Sequence, residues 1–377
     1  MYLQKLRDWK KAQRKWQPLI TVEINRTAII NNLAQIRKLT PRWQIAPVLK
    51  ANAYGHGLSV VADILKTDKQ IPLICVDSYI EAEIIRRQGI KTPLLVIGYT
   101  PEHTIIHNTL RDTAFTVGSL ELLVALSKRH YPGKIHLKFD TGMHRQGIGL
   151  PDVSAALKYG KKLSVEGVFS HLSDADNPVS KTVSRQIQKW NALVTEIKRI
   201  MPQVRYFHLS NSAGLALYHK IEANLARTGI ALYGINPGNL PINLKPALRI
   251  KTVISEVRQL QKRDSVGYND TFTARKMMRI ATVPVGYYEG VDRRLSNKGS
   301  FSVAGEIAPI IGRVSMDISS CDITSISDVE PGSEITIISD EAGQPNSVEE
   351  IAHICNAIPY EILVHIPVHL RRVIVNE

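Results

Sequence analysis

The chain has 377 residues, of which 44% are hydrophobic, and its formal net charge is +14 at pH 7. This length is too great for one small domain, so we expect two domains, and the hydrophobic content suffices for a full core. No apolar run is long enough to span a membrane, and no apolar segment with a cleavage site follows the basic N-terminus. We therefore expect neither a membrane span nor a signal peptide.

The three cysteines, Cys75, Cys321 and Cys355, are far apart in the sequence. They match no metal-ligand spacing and form no even-numbered disulfide framework. This usage favours a reducing, cytoplasmic location and predicts no metal site.

Residues 1–17 form a basic N-terminal extension, in which Leu6, Trp9 and Trp16 are interleaved with lysines and arginines. The pattern is typical of a solvated terminal helix. The alternative is an amphipathic helix that docks on an acidic surface, a membrane or a nucleic acid. The remaining positive charge is spread along the chain without a nucleic-acid motif, so we expect no nucleic-acid partner.

Short apolar runs alternate with helical patterns from residue 44 to residue 234. The candidate strands cover residues 44–50, 72–77, 93–98, 113–117, 134–140, 164–171, 205–211 and 225–232. Helical stretches such as 81–88, 120–129 and 184–200 fall between them. Eight βα units predict an α/β fold, a closed (β/α)8 TIM barrel over residues 18–238. An open doubly wound sheet is the alternative, but it usually has fewer strands.

The pattern changes after residue 238, where Asn236-Pro237-Gly238 marks a linker. Residues 239–377 predict a mainly-β domain with short strands. Its candidate strands cover residues 249–257, 279–285, 335–338 and 362–366. A further strand is predicted at residues 21–24, before a helix at 28–39, and an alternative boundary assigns this strand to the β domain.

The first barrel strand leads into the run Pro47-Val48-Leu49-Lys50-Ala51-Asn52-Ala53-Tyr54-Gly55-His56-Gly57. The run predicts a strand end, a tight loop and a new helix. Barrel enzymes place their chemistry at the C-terminal ends of the strands, so Lys50 is a candidate nucleophile. The alternative is a lysine that extends to the barrel rim.

The later strands also end in polar residues. On the fifth strand, Lys138 and Asp140 share the inward face, and Arg145 follows in the loop. A buried lysine beside an arginine is costly unless its charge is removed or reversed, and a salt bridge to Asp140 or another carboxylate is the alternative. The sixth strand ends at His171.

The seventh and eighth strands predict an anion site. Ser212 is expected to open a helix after the seventh strand, and Arg227 lies in the eighth, followed by Gly229. A helix N-terminus and a glycine that admits a phosphate to the backbone are common phosphate-binding features of this fold. Each residue alone is also compatible with a satisfied polar group in the core, but their conjunction at successive strand ends favours a site.

These segments resemble, in order, those of the pyridoxal phosphate-dependent alanine racemases. In the second domain, the segment at Ser265-Val266-Gly267-Tyr268 is similar to the one that bears the family's catalytic tyrosine. The segment 286–290 reads GYYEG where the family usually has GYADG, and 312–317 follows the family's G-R-x-x-M-D. The resemblance extends from about residue 20 to the C-terminus, and residues 1–16 lie outside it.

The resemblance implies a fold-type III amino-acid racemase that interconverts L- and D-alanine and so supplies D-alanine for the cell wall. Lys50 would hold pyridoxal 5'-phosphate covalently and act as a base on one face of the substrate. Tyr268 would act on the other face, and Arg227 would face the pyridine nitrogen. His171 would hydrogen-bond Arg227. The implied cofactor-binding residues are Lys50, Tyr54, His171, Asn211, Ser212, Arg227, Gly229 and Ile230.

The family also implies substrate contacts and a partner. The substrate, a small amino acid, would contact Arg145, Tyr268, Met316 and Asp317. The access channel would be lined by Asp176, Tyr287, Arg293, Arg313 and Val368. Lys138 would be a carbamylated lysine that pairs with Arg145, and a homodimer with shared active sites would supply Tyr268 from the partner subunit.

One position departs from the family. Alanine racemases end with a Tyr-Glu pair and a second tyrosine eight residues later, whereas here Tyr360-Glu361 is followed by Val368 at that position. Valine predicts a wider, less polar wall and weak discrimination against serine or larger amino acids. The alternative is that His365 or His369 fills the space, or that a one-residue loop shift restores another side chain.

Two other functions are alternative interpretations of the same motifs, and each fits the sequence less well. A non-catalytic pyridoxal phosphate-binding barrel would lack the β domain that carries Tyr268 and Met316-Asp317. A related amino-acid decarboxylase would place a carboxylate at the ring nitrogen, where this chain offers Arg227.

Overall fold

A computed structural model describes residues 18–177, 179–238 and 240–376. The basic extension, residues 1–17, lies outside the described residues. The chain divides into two compact units. One comprises residues 25–247 with 375–376, and the other comprises residues 18–24 with 248–374.

Strand β1 (Thr21–Asn25) comes first and lies almost wholly in the second unit. The first unit contains the parallel strands β2 (Gln44–Pro47), β3 (Ile74–Val76), β4 (Leu94–Val96), β5 (Thr113–Val117), β6 (Lys134–Asp140), β7 (Ile148–Gly149), β8 (Ser164–Phe169), β9 (Tyr206–His208) and β10 (Leu225–Thr228). Of these, β7 is a two-residue addition that pairs with β6. Each of the predicted barrel strands is present, and most are shorter than predicted.

The strands close into a ring. Strands β3, β4, β5, β6, β8 and β9 pair in that order, and β10 pairs with β2. One join is made by the backbone N–H of Leu49, which donates to the carbonyl oxygen of Cys75 at 2.8 Å. The other is made by the N–H of Arg227, which donates to the carbonyl of Ser210 at 3.2 Å. The predicted barrel is therefore confirmed, and the open sheet is not what forms.

Helices connect the strands, and serine or asparagine caps fix where four of them begin. The side chains of Asn25, Ser78, Ser119 and Ser180 each accept a hydrogen bond from a first-turn N–H, which satisfies a donor that the helix itself cannot. The helices are α1 (Arg26–Leu39), α2 (Leu58–Leu65), α3 (Tyr79–Arg87), α4 (Glu102–Ile106), α5 (Leu120–Lys128), α6 (Val153–Gly160) and α7 (Lys181–Ile200). None of the helices in the described ranges is long and apolar enough to cross a membrane.

The second unit is mainly β, as predicted. Besides β1, the strands of this unit are β11 (Leu248–Val253), β12 (Glu256–Leu260), β13 (Ser265–Val266), β14 (Phe272–Thr273), β15 (Met278–Val283), β16 (Ser300–Val303), β17 (Glu306–Ile311), β18 (Ser319–Asp322), β19 (Glu334–Ile338) and β20 (Arg371–Val375). Strands β13 and β14 pair with each other, and the others form a nine-stranded sheet in the order β12-β15-β18-β17-β16-β19-β11-β1-β20. Strand β1 pairs antiparallel with β11, with Val22 opposite Ile250, so the strand predicted at 21–24 does join this sheet.

The strand predicted at residues 362–366 is wrong. The second unit contains two helices, α8 (Val348–Ile354) and α9 (Pro359–Val364), and α9 occupies most of this segment. Ile362, Leu363 and Ile366 are buried while Val364 is exposed, which is helical spacing and not the alternation of a strand. A short apolar run does not by itself distinguish the two structures.

Candidate active site

Lys50 begins an unusual backbone segment at the C-terminal end of the first barrel strand. The four residues after it, Ala51 to Tyr54, all adopt left-handed conformations, with φ between 51° and 54°. Left-handed backbone costs L-residues about 1–2 kcal/mol each, so this turn requires support from its surroundings. The sequence predicted a tight loop here, and the structure shows a strained one.

Polar contacts hold the left-handed turn in place. The Asn52 side chain accepts from the N–H of Leu58 at 2.8 Å, which ties the turn to the start of α2. The N–H of Ala51 donates to Oε1 of Glu81 at 2.8 Å. Glu81 is also the third residue of α3 and completes its capping box with Ser78. It supports the turn from another βα unit, and sequence reasoning missed it.

Arg227 is buried on β10, and its terminal nitrogens are fully engaged. One of them, Nη1, lies 2.6 Å from Nδ1 of His208 and donates to the His208 carbonyl at 2.9 Å. The other, Nη2, donates to the carbonyl of Ser170 at 2.8 Å and lies 3.2 Å from Nδ1 of His171. It also donates to the Leu209 carbonyl at 3.2 Å. The guanidinium is thus fixed in orientation by strands β8 and β9.

Positive charges converge on His171 at the C-terminal ends of the strands. Burial lowers the pKa of His171 well below its usual value, and the nearby charges of Arg227, Arg145, Lys138 and Lys50 lower it further. His171 is therefore a neutral imidazole at pH 7. Because Arg227 only donates hydrogen bonds, Nδ1 of His171 is the acceptor and its proton is on Nε2. Such a cationic site attracts anionic ligands.

An anion cradle lies beside these cations. The Ser212 hydroxyl accepts from the N–H groups of Gly229 and Ala231 at 3.1 and 3.3 Å, at the start of the 3-10 helix Ile230–Tyr233. A side chain at Gly229 would overlap the Tyr54 hydroxyl, so the glycine lets that hydroxyl rest against the backbone. Ser212, Gly229, Ile230 and Tyr54 thus come together as the sequence predicted for a phosphate site.

The role of Ser212 differs in one respect from the prediction. A 3-10 helix, Ala213–Lys220, does begin after Ser212, but the serine does not cap it. Asn211 accepts instead from the N–H of Gly214 at 2.9 Å. The Ser212 hydroxyl is left to bind the N-terminus of the neighbouring segment.

Lys138 is buried on β6, and its partner is an amide oxygen instead of a carboxylate. Its Nζ donates to Oε1 of Gln146 at 2.8 Å. Among the described residues no carboxylate lies within salt-bridge distance, because Asp140 accepts instead from the N–H groups of Gly142, Met143 and His144. The salt-bridge alternative is therefore wrong. Burial, followed by the charges of Arg227, Arg145 and Lys50, lowers the pKa of Lys138 to about 8.

Tyr268 lies at the tip of a hairpin in the second unit. The hairpin pairs β13 with β14, and its tip is a 3-10 turn, Tyr268–Asp270. The side chain of Tyr268 is 68% exposed. Packing within its own unit therefore does not account for this tyrosine, although tyrosines in β domains usually serve that purpose.

Two of the segments that resemble alanine racemase motifs, 286–290 and 312–317, lie next to each other in the second unit. The N–H of Tyr287 donates to the carbonyl of Ser315 at 3.0 Å, and that of Tyr288 donates to the carbonyl of Met316 at 2.9 Å. A side chain on Gly286 would overlap these two carbonyls, so the segments lie against each other only because residue 286 is glycine. Two of the proposed channel and substrate residues, Tyr287 and Met316, are thereby neighbours.

The remaining predicted residues have no partners that reveal a role. Four of them are exposed, namely Arg145, Asp176, Arg293 and Asp317, and Arg313 is half-buried. Val368 is 78% exposed, and the ring of its neighbour His369 stacks on Tyr288 with the centroids 4.8 Å apart. The assignment of these residues to an access channel or a substrate contact stays a prediction.

The fold and the site together define a class of enzyme. A closed barrel carries a lysine, a clamped arginine and an anion cradle at its C-terminal end, and a β unit presents an exposed tyrosine. This combination is suited to a phosphate-bearing organic cofactor that the lysine could hold.

Comparison with known proteins identifies the family. The alanine racemase N-terminal domain matches residues 24–237, and the alanine racemase C-terminal domain matches residues 247–374. The alanine racemase of Methanococcus maripaludis is 33% identical over 370 residues, which cover 94% of this chain and 98% of that relative. The chain therefore belongs to the alanine racemase family, a family of pyridoxal phosphate-dependent isomerases.

Solved structures agree with this assignment. The crystal structure of alanine racemase from Bacillus anthracis with bound L-Ala-P has a TM-score of 0.86 and 31% identity, covering 96% of both chains. Alanine racemase from Bartonella henselae, solved with covalently bound pyridoxal phosphate, shares the fold with a TM-score of 0.83 at 23% identity. That comparison covers 95% of this chain and all of the other.

The anion cradle makes a prediction about Gly229. Gly229→Ala should raise the dissociation constant of pyridoxal phosphate at least about tenfold, because the new methyl group displaces Tyr54 from the cradle and a lost hydrogen bond to a charged group is worth about 1.5–3 kcal/mol. Equilibrium dialysis of the cofactor-free protein measures this constant.

Gly149→Ala is the matched control. A Cβ at Gly149 would meet its nearest atom at 3.6 Å, an ordinary contact, and its φ of −63° suits any residue. Equal cofactor affinity in the two variants would show that the Tyr54–Gly229 contact does not form part of the binding site.

Proposed function

We propose that this chain interconverts L- and D-alanine with pyridoxal phosphate as its cofactor. The observation that carries the proposal is the gathering of Lys50, Lys138, Arg145 and Arg227 around a neutral His171. A cationic site of this kind suits an anionic cofactor and an amino-acid carboxylate. The site residues resemble those of alanine racemases, and the chain belongs to that family, so racemisation is the reaction that we propose.

The residues of the barrel fit the cofactor. Tyr54, Ser212, Gly229 and Ile230 would hold its phosphate in the anion cradle, and Lys50 would hold its aldehyde carbon through the amine. Bound pyridoxal phosphate supplies an electron sink that stabilises negative charge at the substrate's α-carbon.

Arg227 would face the pyridine nitrogen and keep it unprotonated. Burial lowers the pKa of Arg227 to about 10, so the guanidinium is still a cation at pH 7. A cation beside the ring nitrogen disfavours a proton there, which limits the spread of charge into the ring. This arrangement suits a racemase, because it reduces side reactions such as transamination.

Two bases on opposite faces of the substrate would exchange the α-proton. Lys50 would take or return a proton on one face through its amine. Tyr268 would do so on the other face. His171 accepts from Arg227 at Nδ1 and so has an Nε2–H to donate, which would stabilise the phenolate of Tyr268. Met316 and Asp317 would bind near the substrate carboxylate.

A homodimer would complete the site. The exposure of Tyr268 on a hairpin tip supports a role outside its own unit. Met316 is also exposed, which supports a contact with the partner subunit's site as well. In this arrangement Tyr268 of one copy serves the barrel of the other, and the enzyme supplies D-alanine.

Lys138 would be carbamylated in the working enzyme. A pKa of about 8 leaves a useful fraction of the amine uncharged near neutral pH. The uncharged amine adds to carbon dioxide with loss of a proton, giving a carbamate anion. This anion would relieve the repulsion among Arg227, Arg145 and Lys50 and orient Arg145 toward the substrate.

The two-base proposal predicts different effects at Lys50 and Tyr268. Lys50→Ala should abolish racemisation in both directions, since neither cofactor attachment nor the base is retained. Tyr268→Phe should lower racemisation about 100-fold or more, the usual contribution of a general base, yet leave proton exchange on the lysine face. The measurement is deuterium uptake at Cα from L-alanine and from D-alanine in heavy water.

Tyr159→Phe, on helix α6, is the control for loss of a tyrosine hydroxyl and should behave as wild type. Small and equal losses for both enantiomers in Tyr268→Phe would show that Tyr268 is not a base. Racemisation by Lys50→Ala without added amines would contradict the assignment of Lys50.

Val368 supports a broader substrate range as a second candidate function. The side chain is largely exposed, and His369 turns its ring onto Tyr288 instead of covering Val368. A valine in place of the family's tyrosine removes a hydroxyl and most of an aromatic ring. We therefore infer that serine or larger amino acids are discriminated against only weakly.

Val368→Tyr should narrow the substrate range. One altered wall contact is worth about 1–3 kcal/mol, so the ratio of kcat/KM for alanine over serine should rise by about 10–200-fold. Val364→Tyr, at another exposed valine in the same segment, is the matched control and should leave the ratio unchanged. A wild type that already prefers alanine strongly, with no change in Val368→Tyr, would contradict the role of this position.

A further inference from the structure

Behind Arg227 a chain of buried polar groups crosses the barrel, and the proposed reaction gives it no role. From Nη1 of Arg227 it passes to Nδ1 of His208 at 2.6 Å, and from Nε2 of His208 to Nδ1 of His136 at 2.9 Å. Nε2 of His136 lies 3.8 Å from Oε2 of Glu166, whose Oε1 lies 2.9 Å from Nζ of Lys134. The imidazoles are fully buried, and the Glu166 side chain is 16% exposed.

Only one arrangement of protons satisfies this chain. A guanidinium donates and never accepts, so Nδ1 of His208 must be an acceptor. A neutral His208 then has its proton on Nε2 and donates to Nδ1 of His136. His136 in turn has its proton on Nε2, which makes no hydrogen bond and faces the carboxylate of Glu166 at 3.8 Å, an ion-pair distance. Every proton in the chain thus points away from Arg227 and toward Glu166.

We propose that His136 and Glu166 are positioning residues that fix the tautomer of His208 and, through it, the orientation of Arg227. With the proton of His208 held on Nε2, its Nδ1 always presents a lone pair to the guanidinium. The opposite tautomer would place an N–H against another N–H and release one terminal nitrogen of Arg227. The carboxylate at the far end therefore determines how the arginine is held.

The packing around the imidazole rings of His136 and His208 restricts their movement. Phe169 stacks on His208 with centroids 4.8 Å apart and an angle of 5° between the planes. The central guanidinium carbon of Arg227 lies 5.0 Å from the centroid of the same phenyl ring. A side chain at Gly167 would overlap the ring of His136, so that ring occupies space that only glycine leaves open. Because the rings are confined, the tautomer is their main remaining freedom.

The charge states agree with the geometry. His136 and Lys134, opposed by burial, lower the pKa of Glu166 to about 2, so the carboxylate is charged at neutral pH. Burial lowers the pKa of both His136 and His208. Among the described residues no carboxylate contacts Arg227 itself, so the chain is its route to a negative charge.

The first test reads the tautomers directly in the cofactor-free protein. Long-range proton–nitrogen NMR spectra of protein with 15N-labelled histidine, assigned with His136→Gln and His208→Gln, should show the Nε2–H tautomer of both residues at pH 7. Glu166→Leu should abolish the single tautomer of His136, because the carboxylate oxygen that faces its Nε2–H at 3.8 Å is then gone. Glu166→Gln retains an acceptor oxygen and should keep the wild-type tautomers.

Lys134→Met is the matched control, since it removes the other partner of the same carboxylate and should leave both tautomers unchanged. If Glu166→Leu does not fold, Lys134→Met/Glu166→Leu removes the ion pair as a whole and gives the same expected change in His136. A wild-type His208 that is charged or has its proton on Nδ1 would overturn the proposal. Unchanged tautomers without Glu166 would also overturn it.

The second test uses the enzyme loaded with pyridoxal phosphate and rests on the proposed function. Mutation of residues that orient metal ligands changes activity by about 10–100-fold, and we expect an effect at the lower end of that range for a residue that orients Arg227, so kcat for alanine should fall about tenfold in Glu166→Leu. KM should change less than about twofold, since Arg227 acts on the cofactor and not on the substrate. Equal kcat in Glu166→Leu and Lys134→Met would count against the positioning role. Absence of racemisation in wild type would refute the proposed function and leave the NMR result intact.

Discussion

The structure depends on placing one guanidinium inside a barrel. Arg227 is 3% exposed, and in the described part of the chain it has no carboxylate against it. Isolated buried charge is very costly, and here carbonyl oxygens from the ends of β8 and β9 offset that cost, together with two neutral imidazoles. Closure of the barrel is what brings these strand ends to one point. Their own burial lowers the pKa of His171, His208 and Lys138, and the charge of Arg227 lowers each of them further.

The left-handed turn after Lys50 is the second constraint on the site, and it lies close to the strand that bears the buried Arg227. Four consecutive strained residues hold Tyr54 against Gly229, one residue beyond the strand that bears Arg227. The ring of Tyr54 also lies 5.2 Å from that of Tyr233, whose hydroxyl donates to the carbonyl of Val48 at 3.0 Å. The strain persists because the surrounding contacts over-determine the conformation, a common property of binding sites. Lysine and anion cradle are therefore placed by one rigid segment.

The sequence was sufficient for the features that have a local signature. Period and length identified each barrel strand, and the rule that barrel chemistry lies at strand ends selected Lys50, His171 and Arg227. The helix at 359–364 was missed because Ile362, Leu363 and Ile366 are too few to separate a helical period from a strand. Partners distant in the sequence, such as Glu81 for the N–H of Ala51, leave no local pattern at all.

The chain of buried polar groups from Arg227 to Glu166 had one sequence signal that could have been used. His136 shares the inward face of β6 with Lys138, two residues apart, so the alternation that placed the lysine inside the barrel also places the histidine there. What the alternation does not show is that His208 faces it from another strand. The choice of tautomer depends on four strands at once, β6, β8, β9 and β10, and only the folded structure brings them together.

The proposed function rests on Lys50 as the residue that holds the cofactor. The most direct measurement is borohydride reduction of the cofactor-loaded enzyme, which makes the bond to the cofactor permanent, followed by mass analysis of its proteolytic peptides. We expect the added mass on Lys50, and the visible absorbance of the bound cofactor should disappear on reduction. Added mass on Lys138 or another lysine, or no added mass on any peptide, would contradict the role of Lys50.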